Sequence, residues 1–197
     1  MINKNDVIKF FDMCAADWDA QMIRDDKIIG KILDNAGVKQ GSRVLDVACG
    51  TGVLIPDYLS RGVESVTAID ISTEMIKIAQ SKYNQPGVRF ICGDVMVADI
   101  GDNYDAIVIY NAFPHFSEPE KLVEVLSGKL KKGGRLTVAH GMSRERIDAH
   151  HRKAACKVSN GLMEAEKLAE IFNKYINTIE IISDDKMYQV VGERFTI

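Results

Sequence analysis

A turn that contains two glycines follows the first strongly apolar stretch of the chain. Val44, Leu45 and Val47 stand shortly before Gly50 and Gly52, and this order predicts a buried strand, a tight turn and then a helix. Such a turn exposes backbone N–H groups at the start of a helix, where a negatively charged or carboxylate-bearing ligand binds favourably. The chemistry expected here is therefore the binding of a cofactor.

An acidic residue closes the next predicted strand. Asp70 ends the stretch that begins at Val66, and its carboxylate is placed where the ribose of a nucleoside would lie across the glycine turn. NAD and S-adenosylmethionine both contain that ribose. A dinucleotide fingerprint of the form G-x-G-x-x-G needs a third glycine at position 55, where the chain has Ile55. This difference disfavours a pyrophosphate site, and an NAD-dependent oxidoreductase stays open only as an alternative.

The motifs taken together resemble those of a known family. The run Leu45-Asp46-Val47-Ala48-Cys49-Gly50-Thr51-Gly52, with Asp70 and Gly93-Asp94, is similar to the class I S-adenosylmethionine-dependent methyltransferases. The resemblance covers the middle part of the chain. It implies S-adenosylmethionine as the cofactor and a Rossmann-like α/β fold, with a doubly wound, seven-stranded and mostly parallel sheet that has one antiparallel strand.

The same resemblance implies roles for individual residues. Asp46, Gly50 and Gly52 would hold the methionine end of the cofactor, and Asp70 would accept hydrogen bonds from both ribose hydroxyls. Ile71 and Val95 would flank the adenine, whose amino group would donate to Asp94. The full set of implied cofactor-binding residues is Trp18, Asp46, Ala48, Gly50, Gly52, Asp70, Ile71, Met75, Asp94, Val95 and Asn111.

The elements that must position these residues alternate along the chain. Strands are predicted over residues 44–47, 66–70, 88–92, 104–110 and 135–140, with helices between them. Right-handed crossovers arrange such a pattern as a parallel sheet with helices on both faces, and ligands bind at the carboxyl ends of its strands. Two further strands, 179–182 and 187–191, are separated by a short connection and are expected to be antiparallel to each other.

Helical segments precede and follow this alternating core. One domain is expected over residues 1–197, with a helical leader at 1–38 and a helical insert at 141–160 over the acceptor pocket. The leader contains predicted helices at 6–21 and 28–36. In the family that the chain resembles, such a leader folds over the cofactor as part of a lid; alternatively, Phe11 and Trp18 are ordinary packing residues.

Histidines near the ends of the fourth and fifth strands are the candidate catalytic groups. His115 follows the fourth strand, and His150 and His151 lie on the predicted insert helix. A histidine at such a position could remove a proton from an oxygen, nitrogen or sulfur nucleophile. No metal site is predicted, because the spacing of the histidines and cysteines matches no known ligand pattern. Basic residues of the insert, such as Arg144 and Arg146, could attract a carboxylate-bearing acceptor or form a solvated helix face.

Composition limits the classes of partner. The net charge of −3 offers no overall attraction to nucleic acid or to an anionic membrane. The N-terminal residues form no apolar run of signal-peptide length, and the four cysteines lack a Cys-x-x-Cys pair. A cytoplasmic protein with reduced thiols is therefore expected.

The sequence thus predicts a methyltransferase that moves the methyl group of S-adenosylmethionine to a small-molecule nucleophile by in-line displacement. Two alternatives stay open. One is the NAD-dependent oxidoreductase, and the other is a non-catalytic module that binds S-adenosylmethionine or serves as a scaffold for a partner.

Overall fold

The computed structural model describes residues 2–154 and 157–196, and for residues 150–154 it describes the backbone alone. The described residues form a seven-stranded sheet in the order β3-β2-β1-β4-β5-β7-β6. The first five strands are parallel, and β7 is antiparallel to both of its neighbours. This sheet confirms the predicted doubly wound fold with one reversed strand. The strands are β1 Arg43–Val47, β2 Ser65–Asp70, β3 Val88–Cys92, β4 Tyr104–Tyr110, β5 Leu130–His140, β6 Asn177–Ser183 and β7 Tyr188–Glu193.

The centre of the sheet is buried on both faces because its strands are almost continuously apolar. In β4, Ile107 and Ile109 pack into one hydrophobic cluster, and Val108 packs into another. Alternate residues of a strand point to opposite faces, so these clusters lie on the two sides of the sheet. The chain winds outward from β1 in one direction and from β4 in the other. The carboxyl ends of these two strands therefore frame a crevice.

Helices cover both faces and the carboxyl edge. They are α1 Lys4–Cys14, α2 Trp18–Gln21, α3 Asp26–Asn35, α4 Ile55–Ser60, α5 Thr73–Lys82, α6 Pro119–Lys129, α7 Arg144–Ala154 and α8 Ala165–Phe172. Several of their ends follow simple capping rules. Asp25 accepts hydrogen bonds from the first N–H groups of α3, and Ser72 does so for α5.

The leader differs from the continuous helix predicted over 6–21. That prediction was wrong because α1 ends at Cys14, and a 3-10 turn over Ala15–Asp17 separates it from α2. Ala15 is buried in this turn, which packs close to α5. A tighter turn built from small side chains allows this approach and changes the direction in which Trp18 points.

The fifth strand is longer than predicted, since it begins at Leu130 rather than at residue 135. Gly133 and Gly134 lie inside β5, where its register with β4 is irregular. A Cβ on Gly134 would lie 2.6 Å from the carbonyl oxygen of Tyr104. Gly134 is therefore needed for the close approach of the two strands.

Polar contacts attach the leader to the carboxyl edge of the sheet. Asp12 of α1 accepts hydrogen bonds from the Ser72 hydroxyl, at 2.6 Å, and from the backbone N–H of Glu74, at 3.2 Å. Asp19 of α2 accepts from the Thr51 hydroxyl at 2.5 Å and pairs with Lys82 at 2.6 Å. The leader thus contacts both the glycine turn and the start of α5.

Candidate functional site

A cavity of about 180 Å³ lies at the carboxyl ends of β1, β2 and β4, beneath the leader. Ten of the eleven residues implied for cofactor binding line it; these are Trp18, Asp46, Ala48, Gly50, Asp70, Ile71, Met75, Asp94, Val95 and Asn111. Gly52 is not among the lining residues. The catalytic candidate His115 lines the same cavity from the side of β4. The topology therefore brings together residues that are far apart in the sequence.

The glycine turn has the backbone angles that its sequence predicts. Gly50 has a φ of 55°, and a side chain there would be directed at the indole nitrogen of Trp18, 3.8 Å from its Cβ. Gly52 has a φ of 84°, and its Cβ would lie 2.8 Å from the ring of Tyr83. Glycine is thus favoured at position 50 by its positive φ, whereas at position 52 it also allows the turn to pack against Tyr83.

Asp70 is a buried carboxylate at the end of β2. One of its oxygens accepts from the backbone N–H of Gly50 at 2.8 Å, and the other accepts from the backbone N–H of Ser72 at 2.9 Å. Burial raises the pKa of this carboxyl, and the backbone N–H groups oppose the rise. Asp70 therefore fixes the glycine turn to the start of α5 and also faces the cavity.

Asp46 is the second buried carboxylate of the site, at 2 % exposure. Its Oδ2 has no hydrogen-bond partner among the residues that the structure describes. Burial raises its pKa to about 8, and the neighbouring carboxylate of Asp70 adds to the rise, while the nearby Tyr58 hydroxyl opposes it. The site thus contains an acidic group that is protonated over much of the range below pH 8.

A pH dependence of stability follows from Asp46. Its pKa is about 8 in the folded chain and near the ordinary 3.8 when unfolded, so the folded state binds more protons between these values. The free energy of unfolding should therefore fall as pH rises through this window, by up to about 1.4 kcal/mol per pH unit. Asp46→Asn removes this contribution without changing the shape of the side chain. Urea unfolding from pH 5 to 8 should give a shallower decline for the variant, and equal slopes would contradict the assignment.

Asp94 and its neighbours form the wall nearest β3. One Asp94 oxygen accepts from the backbone N–H of Met96 at 3.0 Å, and the other pairs with Lys4 of the leader. Val95 and Met75 are buried beside it, and Ile71 is half-buried. An apolar slot with a carboxylate at its edge suits a planar base that carries an amino group.

Asn111 has an uncommon backbone conformation at the end of β4, with a φ of 55°. Its side-chain oxygen accepts from the backbone N–H of Gly141 at 3.0 Å, and its own N–H donates to Ala139 at 2.9 Å. Ala48, after β1, has a φ of 56°. Two residues with strained backbone therefore stand side by side at the carboxyl ends of adjacent strands, as is common where a ligand binds.

His115 lies in a 3-10 turn, Phe113–His115, directly after β4. Its Nδ1 is 2.7 Å from the carbonyl oxygen of Val158. Because a carbonyl oxygen can only accept, Nδ1 carries the proton of this bond, and in the neutral ring the lone pair is on Nε2. The ring of Phe11 packs against the imidazole edge to face, with centroids 4.9 Å apart. The geometry therefore suits a group that accepts a proton.

The other basic candidates are placed differently. The side chains of His150 and His151 lie outside the described residues, so their predicted catalytic roles stay predictions. His140 is buried and packs against Tyr188, with ring centroids 6.0 Å apart. Arg144 donates to the carbonyl oxygen of Leu162 at 2.9 Å and does not line the cavity. It therefore serves the packing of the insert, and the idea that it attracts an acceptor is not supported.

Sequence reasoning missed several residues of the cavity wall. Lys4, Met22 and Phe116 line it, but no motif in the sequence marks them. Lys4 and Met22 come from the leader, whose contacts depend on tertiary packing. Phe116 directly follows His115, a candidate base. This adjacency is the one sequence signal that could have indicated that Phe116 lines the cavity.

Comparison with known proteins decides the family. A model described as a methyltransferase domain matches residues 44–134, the segment that contains the glycine turn, Asp70 and Asp94. Residues 44–134 of the chain belong to this family of methyltransferase domains. The resemblance to the class I S-adenosylmethionine-dependent methyltransferases is thereby confirmed for this segment, and S-adenosylmethionine is the cofactor of that family.

Two curated relatives and one solved structure illustrate the similarity. The malonyl-[acyl-carrier protein] O-methyltransferase of Acetivibrio thermocellus is 33% identical over 137 residues, which are 68% of this chain and 48% of that protein. The demethylmenaquinone methyltransferase of Renibacterium salmoninarum is 37% identical over 109 residues, 55% of this chain and 45% of the relative. This methyltransferase thus spans about half the length of the curated relatives it matches.

The solved structure is magnesium protoporphyrin IX methyltransferase from Synechocystis PCC 6803 with bound SAH. It superimposes with a TM-score of 0.73 at 16% identity and covers 98% of this chain and 100% of that one. At that identity the comparison shows the fold alone.

Among the side chains that the structure describes, those of residues 2–149 and 157–196, no group of three or more histidine, cysteine, aspartate or glutamate residues could hold a metal ion. No helix in the described part of the chain combines the length and the apolar character needed to span a membrane.

Proposed function

We propose that the protein transfers the methyl group of S-adenosylmethionine to a small-molecule oxygen, nitrogen or sulfur nucleophile. The observation that carries the proposal is a single cavity in which buried carboxylates at β1 and β2 face His115 at β4. The cofactor supplies an activated methyl group, so the chain has mainly to bind it, aim the acceptor and accept a proton. The wall of this cavity contains groups that suit all three tasks.

The cofactor fits the polar groups of the cavity. The unpartnered Oδ2 of Asp46 would receive the cofactor's ammonium group, which also favours the charged form of this carboxyl. Asp70 would accept from the ribose hydroxyls with the remaining lone pairs of its two oxygens. Ile71, Val95 and Asp94 would hold the adenine, with Lys4 sharing the Asp94 carboxylate. The leader over residues 1–38 would then act as a lid through Trp18 and Lys4.

His115 is proposed as the general base. Its Nε2 would accept the proton that the acceptor loses as the acceptor bonds to the methyl carbon and the bond from that carbon to sulfur breaks. β4 lies beside β1 on the side away from β2, so His115 would be on the acceptor side of the cofactor. The insert at 141–160 would cover this side, because Val158 holds the histidine.

A binding titration combined with an acceptor screen tests the proposal. Calorimetry should detect S-adenosylmethionine binding, and one class among amine, thiol, phenol and carboxylate acceptors should yield S-adenosylhomocysteine. Firm binding with no product from any class would favour the non-catalytic module. Binding of NAD but not S-adenosylmethionine would restore the oxidoreductase, which the buried Ile55 at the start of α4 now disfavours.

We also propose that the enzyme works in the cytoplasm and has no nucleic-acid or membrane partner. Cys14, Cys49 and Cys92 are free thiols, as is usual in a reducing compartment. The net charge of −3 gives no attraction to polyanions. Cell fractionation and a nucleic-acid binding assay at low salt would test the two statements.

A further inference from the structure

His115 is held by two segments that lie outside the parallel part of the sheet. The carbonyl oxygen of Val158, which follows α7, accepts the hydrogen bond from Nδ1. Phe11, in α1, presents its ring to the imidazole at an interplanar angle of 86°. The candidate base is therefore oriented by the leader and by the segment after the insert helix.

These two segments also pack against each other. Val7 of α1 and Val158 are both buried, at 7% and 3% exposure, and form a small cluster with Ile2, Phe10 and Phe11 around it. The cluster joins the leader to the residues that hold the Nδ1 side of His115. The leader is thus in direct contact with the segment whose carbonyl oxygen holds His115.

Phe11 differs from its neighbour Phe10 within this cluster. Phe11 lines the cavity and contacts both Trp18, with centroids 5.6 Å apart, and His115. Phe10 contacts Phe11 at 5.2 Å but does not line the cavity. Trp18 in turn covers Gly50. Phe11 therefore lies between Trp18, which covers the glycine turn, and His115, the candidate base.

We propose that Phe11 is a positioning residue for methyl transfer, whose ring fixes the plane of the His115 imidazole. The hydrogen bond to the Val158 carbonyl holds the Nδ1 atom of the ring. The edge-to-face contact with Phe11 restricts rotation of the imidazole about its Cβ–Cγ bond and so contributes to the direction of Nε2. The inference rests on the proposed function of His115, since a base that is misaligned by a fraction of an ångström loses much of its effect.

Three variants separate positioning from packing. Phe11→Leu keeps the apolar contact but lacks the ring, Phe11→Tyr keeps the ring, and Phe10→Leu is the matched control in the same cluster. We expect Phe11→Leu to lower kcat about tenfold with the KM for S-adenosylmethionine changed less than about twofold. Phe11→Tyr should recover kcat to within about threefold of the wild type, and Phe10→Leu should stay within about twofold.

Carbon-13 relaxation at the Cε1–H of the His115 ring gives a second readout that needs no turnover. The wild type, Phe11→Tyr and Phe10→Leu should show a rigid ring, and Phe11→Leu should show a ring that reorients over a larger angle, because the aromatic contact is lost while the hydrogen bond to Val158 is kept. An unchanged ring signature in Phe11→Leu, or an equal loss of kcat in Phe10→Leu, would overturn the inference. Failure of the proposed role of His115 as the base would give a different result. In that case His115→Ala would keep full turnover, whichever residue stands at position 11.

Discussion

Replacing His115 by alanine is expected to lower kcat by about 10²–10⁴-fold, the usual contribution of a general base. The affinity for S-adenosylmethionine should change less than about twofold, because the carboxylates proposed to hold the cofactor belong to β1 and β2 and His115 follows β4. The measurement is steady-state turnover of the best acceptor, combined with a cofactor titration.

His115→Asn is the matched control for this substitution. The asparagine amide can still donate to the Val158 carbonyl, as Nδ1 of the histidine does, but it cannot accept a proton at neutral pH. Both variants should therefore lose turnover to a similar extent. An asparagine variant with nearly full activity would assign His115 a purely structural role.

Removal of the Asp70 carboxylate should mainly affect the cofactor. Asp70→Ala is expected to weaken S-adenosylmethionine binding by about 1.5–3 kcal/mol, the scale of hydrogen bonds to a charged group. Part of this loss comes from the glycine turn, since the backbone N–H groups of Gly50 and Ser72 lose their acceptor. Calorimetric titration gives the affinity, and urea unfolding gives the accompanying change in stability.

Asp105 offers a control for that experiment. It also accepts from a backbone N–H, that of Arg43 at 2.8 Å, but it stands near the start of β4, at the opposite edge of the sheet from the cavity. Asp105→Ala should lower stability without changing the affinity for the cofactor. Equal affinity losses in the two variants would indicate a general loosening of the fold, and an unchanged affinity in Asp70→Ala would remove Asp70 from the ribose site.

Local sequence signals were sufficient to predict the strands of the core and the meeting of their carboxyl ends, where the cofactor-binding candidates lie. The strands are apolar runs bounded by turn residues, and parallel pairing places their carboxyl ends together, so the convergence of Asp46, Asp70 and Asp94 followed from order along the chain. Gly134 is the exception within the core. A glycine pair after a helix usually ends it, whereas here Gly134 permits close contact with the backbone of β4. Local sequence does not specify that neighbour.

The acceptor side could be predicted only in part. His115 was recognisable because it follows a strand end, but its orientation depends on Phe11 and Val158, which are distant in sequence. The break between α1 and α2 likewise depends on packing against α5. Contacts of this kind leave no periodic pattern in the sequence. Each joins a single pair of residues that come together only when the whole fold has formed.

The leader leaves the ribosome before every element that it covers. Ser72, Asp94 and Val158, its partners, are synthesised later, so α1 can dock only after most of the chain has emerged. Contacts between segments far apart in sequence form slowly. We therefore expect the leader to dock in the last step of folding, after the core has assembled, so that the site stays open until then. Limited proteolysis of chains arrested during synthesis tests this order. Protection of the leader in the shorter arrested chains would contradict it.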